Sequence, residues 1–217
     1  MSQPSPESEA NTLVMEIQSA LAACRLKGGA FQRIAEQRLG ALLSLLSVTA
    51  GELTKARDAA APLALNLNER QRRTAEGMGE LYQTIRQAMG NPAVDVASAL
   101  LFPGGTGFYS ECAPNEQSDR IELLAQLLEA GMLARLPADQ APYFANKARN
   151  MAQSAREAAD ALRIPKARVS LLERSLALVV RGAKLELGNM RKRMLESGMP
   201  GEEISEIFSQ KPKDRLA

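Results

Sequence analysis

Residues 39–60 read LGALLSLLSVTAGELTKARDAA, and Leu39, Leu42, Leu46, Thr49, Leu53, Ala56 and Ala60 recur in them at steps of three and four. A helix turns once every ~3.6 residues, so this spacing gathers those side chains on one face and leaves the polar ones on the other. Val169, Leu172, Leu176, Val179 and Ala183 repeat the pattern toward the other end of the chain. Two seams of this kind predict helix packed on helix.

Composition points the same way. Hydrophobic residues make up 45% of the 217, aromatics only 4%, and Trp is absent. Small aliphatic side chains suit close helix packing and give a sheet little to build on. The expected fold is an all-α, elongated antiparallel bundle of five to six helices with one long irregular loop.

Working outward from the seam, Leu13, Ile17, Ala20, Cys24, Phe31 and Ile34 extend it backwards toward a cap at Asn11 or Thr12. Gly28 and Gly29 lie within it, each costing ~1 kcal/mol relative to Ala in a helix. They predict a bend in an otherwise continuous first helix, which Pro62 then stops. Asn68 can cap a second helix over about 69–89, through Ala75, Met78, Tyr82, Ile85 and Met89, and the two form a hairpin over residues 12–89.

Residues 90–118 show no sustained period and read as the long loop, with a brief apolar piece at Val94–Leu101. Helices three to six occupy 119–209: one from Ser118 to about Arg135, one from Asp139 to Leu162, one over about 166–197, and a short last one around Ile204, Ile207 and Phe208. Ile164 with Pro165 predicts the break between the fourth and fifth. A single bundle domain over 12–210 is thus expected, with residues 1–11 and 211–217 as disordered tails.

The absence of His from all 217 residues excludes more than any motif suggests. His-activated Ser or Cys nucleophiles, His metal sites and the Glu-x-x-His di-iron bundle all require it. Gly104, Gly105, Thr106 and Gly107 lack the Lys-Ser/Thr pair and the preceding strand of a phosphate loop. No catalytic residue, cofactor or metal is assigned, and the chain is read as a non-enzyme. Cys24 falls on the apolar stripe as a small hydrophobe, while Cys112 reads as a free thiol in a polar loop.

Net charge is only +2, yet it is unevenly placed: residues 1–162 carry 15 Lys/Arg against 18 Asp/Glu, and residues 163–217 carry 12 against 7. Arg70, Arg72 and Arg73 open the second helix, and Arg191, Lys192 and Arg193 close the fifth, forming candidate basic patches. Neither makes the broad basic face, with stacking aromatics, that nucleic acid requires. The leading reading is a protein–protein interaction or scaffold protein acting through helical faces and the 90–118 loop. Its candidate partner-binding residues are Phe102, Phe108, Tyr109, Ile204, Ile207 and Phe208. The loop aromatics can either anchor onto the bundle or form a patch for a partner.

A lipid- or membrane-active bundle is the first alternative and a nucleic-acid binder the second. The most apolar window, Leu39–Ala50, is about a dozen residues, short of the ~20 that span a bilayer. With no secretory pattern in the first ten residues, a cytoplasmic setting is expected. A first helix that outreaches its neighbours would leave apolar stripe for a second copy, so a coiled-coil homodimer is expected, with a further protein as partner.

Overall fold

A computed structural model describes residues 6–91 and 96–209, and among them it contains helices and no strand. The order is α1 (Pro6–Lys27), α2 (Gly29–Ala88), α3 (Val96–Leu101), α4 (Gly107–Ser110), α5 (Pro114–Glu129), α6 (Ala141–Glu196) and α7 (Gly201–Ser209). The fold is an all-α helical bundle. Its packing divides into two compact units, one holding the chain up to Asp58 and from Ala167 onward, the other holding Ala59–Lys166. Each unit takes part of α2 and part of α6.

In the first unit the seam read at residues 39–60 is the centre of the core. Leu39, Leu46 and Leu53 of α2 share it with Leu176, Val180, Ala183 and Leu187 of α6, and α1 adds Leu13, Ile17, Ala20 and Cys24. Arg38 pairs with Glu186 near one end and Glu52 with Arg168 near the other, so the two helices run antiparallel here. α7 packs against α1 and brings in Ile204, Ile207 and Phe208.

The second unit is built on Met78, Leu81 and Ile85 of α2, Ile121, Leu124 and Leu128 of α5, and Phe144, Ala145, Ala148 and Ala152 of α6. The run of alanines continues along α6 through Ala158 and Ala159, which pack with Leu162 and with Leu67 of α2. Side chains that small let a neighbouring helix approach closely.

Three boundaries differ from the sequence reading, for physical reasons. The expected continuous first helix breaks, because Gly28 and Gly29 adopt φ of +69° and +63°, a left-handed conformation that ends α1. The expected stops at Pro62 and Pro165 are not stops: both prolines lie inside helices. A mid-helix proline costs about 3 kcal/mol, but the apolar seam keeps its phase across each one. Leu53, Ala56, Ala60, Leu63 and Leu67 flank Pro62 at steps of three and four, and Leu162, Val169, Leu172 and Leu176 flank Pro165 at steps of seven, three and four. Burying each large aliphatic side chain contributes roughly 1.5–3 kcal/mol, so the seam outweighs the lost hydrogen bond. The expected second helix is therefore the end of α2, and the expected fourth and fifth helices are one.

Residues 6–11, expected in a disordered tail, form the start of α1, where Ala10 is buried. Residues 1–5 and 210–217, the rest of the expected tails, lie outside the described residues. α5 starts four residues ahead of Ser118, with Pro114 in its first turn; Ser118 is buried and donates to the Asn115 carbonyl instead of capping. Gly131, at φ +72°, follows the end of α5 at Glu129, short of the expected Arg135.

Gly28→Ala should lower stability by about 1–2 kcal/mol, the cost of holding a side-chain-bearing residue left-handed. Gly51, an exposed helix-interior glycine whose added Cβ would meet nothing within 4 Å, should respond oppositely, gaining up to about 1 kcal/mol as Ala. Chemical denaturation of the two variants beside the parent chain measures both signs.

Candidate functional site

Of the segment expected to be an irregular loop, residues 92–95 lie outside the described residues, and residues 96–118 form a folded cap on the second unit. α3 and α4 occupy part of it, and its aromatics turn inward. Phe102 and Tyr109 are each only 3% exposed. Phe102 packs against Tyr82 with ring centroids 4.8 Å apart and against Tyr109 at 5.6 Å, and the Tyr109 hydroxyl donates to the Leu101 carbonyl. Burial pushes the Tyr109 phenol up to about 12. Phe108 is the most exposed of the three at 38%, but its face is covered by the Arg120 guanidinium, 4.2 Å from the centroid. These rings anchor the segment.

Ile204, Ile207 and Phe208 are likewise buried, in the first-unit core, with the Arg191 guanidinium 4.6 Å from the Phe208 ring centre. The partner-binding residues picked out by sequence are thus placed in the packing, apart from the edge of Phe108. Hydrophobicity alone does not distinguish an anchor from a patch.

The basic candidates remain at the surface. Glu69 accepts hydrogen bonds from Arg72 at 2.9 Å and Arg73 at 2.7 Å, which hold its carboxyl down to about 2. Arg72 also reaches Glu76. Arg70 instead donates to the neutral hydroxyl of Ser154 across from it on α6, at 3.1 Å. Lys192 lies 3.9 Å from Glu196, and Arg193, after the Arg38 hydrogen bond, helps hold the Glu186 carboxyl below its usual range. Arg70–Arg73 belong to the second unit and Arg191–Arg193 to the first.

A different surface of the first unit combines apolar area with unpaired charge. Leu171, Leu178 and Leu185 of α6, seven residues apart, are 65–66% exposed. Arg174 and Arg181 fall between them, so that Leu171, Arg174, Leu178, Arg181 and Leu185 advance by three, four, three and four along the side opposite the buried seam. Such steps keep all five on one stripe about 21 Å long. Arg174 and Arg181 have no hydrogen bond or ion pair among the described residues. No carboxylate falls in the stripe. The signal was in the sequence as a second three-four pattern out of phase with the seam, but only burial tells which of the two is core.

Other chemistry is sparse. Both thiols are free: Cys24 is buried and Cys112 half-buried, and burial raises each above its ordinary value. No group of three or more His, Cys, Asp or Glu among the described residues is arranged to hold a metal ion. None of the described helices is long and apolar enough to cross a membrane. The side-chain amide of Gln117, fully buried in α5, has no hydrogen-bond partner among the described residues. Compared with known proteins, the chain matches no family model, no curated protein and no solved structure.

Three outcomes follow from this geometry. Phe102→Ala should cost about 3–5 kcal/mol in a denaturant titration, as expected of a core aromatic. Gln117→Met, which keeps the shape and removes the unpaired amide, should stabilise the chain by about 1–3 kcal/mol. Tyr109 is neutral in the folded state up to about pH 12 but ionises near its ordinary value of 10 once unfolded. Its contribution is therefore complete below pH 10 and falls by roughly 2–3 kcal/mol between pH 10 and 12. Stability measured across that window should decline less steeply in Tyr109→Phe.

Proposed function

We propose that this chain is a non-catalytic interaction protein, and that its docking face is the leucine–arginine stripe of α6 rather than the 90–118 segment. The observation that carries the reading is the row of Leu171, Leu178 and Leu185, two-thirds exposed, interleaved with the unpaired Arg174 and Arg181. Solvated helix faces in water-soluble bundles usually mix both signs of charge. This one alternates apolar side chains with one sign only.

Charge selects the partner. From Arg163 to Glu196 the chain carries nine Lys/Arg against three Asp/Glu. A second copy laid on the stripe would set arginine against arginine in either direction, so self-association is disfavoured there. The apolar seam of α2 that pointed to a homodimer is covered within the chain, Leu39 and Leu46 being fully buried. An acidic amphipathic segment of another protein fits, its carboxylates facing Arg174 and Arg181 and its apolar side chains the leucines.

Covering three leucines contributes roughly 5–9 kcal/mol at best, against an association cost of about 4–15 kcal/mol. Apolar contact alone is therefore marginal. The arginines must add to it, which makes the complex salt-sensitive.

The test compares the parent chain with Leu171→Gln/Leu178→Gln/Leu185→Gln and with Arg174→Glu/Arg181→Glu in affinity capture from the native host. Direct binding to the recombinant captured protein, and flotation with vesicles of anionic or neutral lipid, complete it. Both variants should keep parental stability to within about 0.5 kcal/mol, since the side chains are exposed. The reading expects a protein with an acidic binding segment, bound directly and at least tenfold more weakly by either variant. Capture indifferent to both variants, or flotation with anionic vesicles lost in both, would overturn it.

A further inference from the structure

Within the second unit, α2 and α6 face each other across an open cleft of about 250 Å³ that the interaction face does not use. Arg70, Arg73 and Thr74 line it from α2, and Lys147, Asn150, Met151 and Ser154 from α6. Counted from Arg70 and from Lys147, the others come three, four or seven residues later, so each set lies on one face. All but Met151 carry hydrogen-bond donors, and no carboxylate lines the cleft.

We propose that this cleft is a binding site for a small, water-soluble phosphate monoester. Arg70 is the principal cation. Its guanidinium is bonded only to the neutral Ser154 hydroxyl, so its charge has no counter-ion among the described residues. Arg73 is held by Glu69 through Nε, at 2.7 Å, which leaves its two terminal nitrogens for a ligand. An Arg fork matches the paired oxygens of a phosphate. Lys147 adds a point charge; among the described residues its one ion pair is with Glu80, at the loose distance of 3.7 Å.

Thr74 adds a neutral donor. It is only 4% exposed as a residue, but its hydroxyl stays open to the cleft it lines and has no hydrogen-bond partner among the described residues. An oxyanion seated against Arg70 would accept its proton. Asn150, also without a partner among the described residues, supplies an amide from the facing helix. The volume exceeds what a few waters fill, at ~30 Å³ each, and falls below the ~300 Å³ at which drug-sized pockets begin. That range suits a phosphate carrying a small organic group.

The experiment is calorimetric titration of the full chain with inorganic phosphate, glycerol phosphate and phenyl phosphate, against sulfate and chloride at matched ionic strength. The expected result is saturable binding of a phosphate monoester, at least tenfold tighter than sulfate. It should weaken at least tenfold in Arg70→Ala and severalfold in Thr74→Val, and be unchanged in Arg33→Ala, an exposed cation of the first unit. Thr74→Val removes only the hydroxyl at equal shape, so its loss of binding reports the site and not the fold. Equal responses to all anions, parental binding by Arg70→Ala and Thr74→Val, or binding confined to vesicles bearing phosphatidate would each overturn the proposal. The outcome is independent of the α6 stripe, because Leu171→Gln/Leu178→Gln/Leu185→Gln retains the cleft.

Discussion

Everything in this fold depends on continuous apolar seams along two long helices and on their burial inside each compact unit. α2 and α6 each supply a stripe at three-four spacing. In the first unit Leu39, Leu46 and Leu53 meet Leu176, Val180 and Ala183, and in the second Leu67 meets Ala158, Ala159 and Leu162. α1, α5 and α7 fill the remaining sides, and the short α3 and α4 act as a lid fastened by Phe102 and Tyr109. Because aromatics are few, packing relies on leucine against alanine, and the interior is held by many small contacts.

Seam burial also explains what the chain tolerates. Pro62 and Pro165 each remove a helical hydrogen bond, yet neither changes the phase of the stripe, so helical geometry continues through both. Gly28 and Gly29 remove nothing but a side chain. They break the helix all the same, because two consecutive positive φ values turn the chain out of helical geometry. A local rule fails where burial opposes it and holds where backbone conformation decides.

What remains unburied or unpaired is where binding can occur. Among the described residues most Lys and Arg side chains are tied to carboxylates, as Arg57 is to both Glu7 and Glu173. Arg174, Arg181 and Arg70 are exceptions, and each stands beside a second feature: exposed leucines for the first two, a cleft lined by hydrogen-bond donors for the third. Charge without a counter-ion next to apolar area favours an acidic amphipathic surface. Charge without a counter-ion next to converging donors favours a compact oxyanion.

Residue spacing by itself determined the all-α class, the two seams, the buried place of Cys24 and the short terminal helix at Ile204–Phe208, since helical periodicity is a property of neighbours along the chain. It could not say where helices end, because Pro62 and Gly28 are both breakers by propensity and only one of them breaks. It could not say whether Phe102, Tyr109 and Ile207 look inward or outward, because an anchor and a docking patch share the same composition. The placement of Leu171, Leu178 and Leu185 on the solvent side, and the meeting of Arg70 with Ser154, eighty-four positions later, were decided by tertiary packing alone. Burial and long-range proximity depend on what lies across from a helix, and that is set by the fold as a whole.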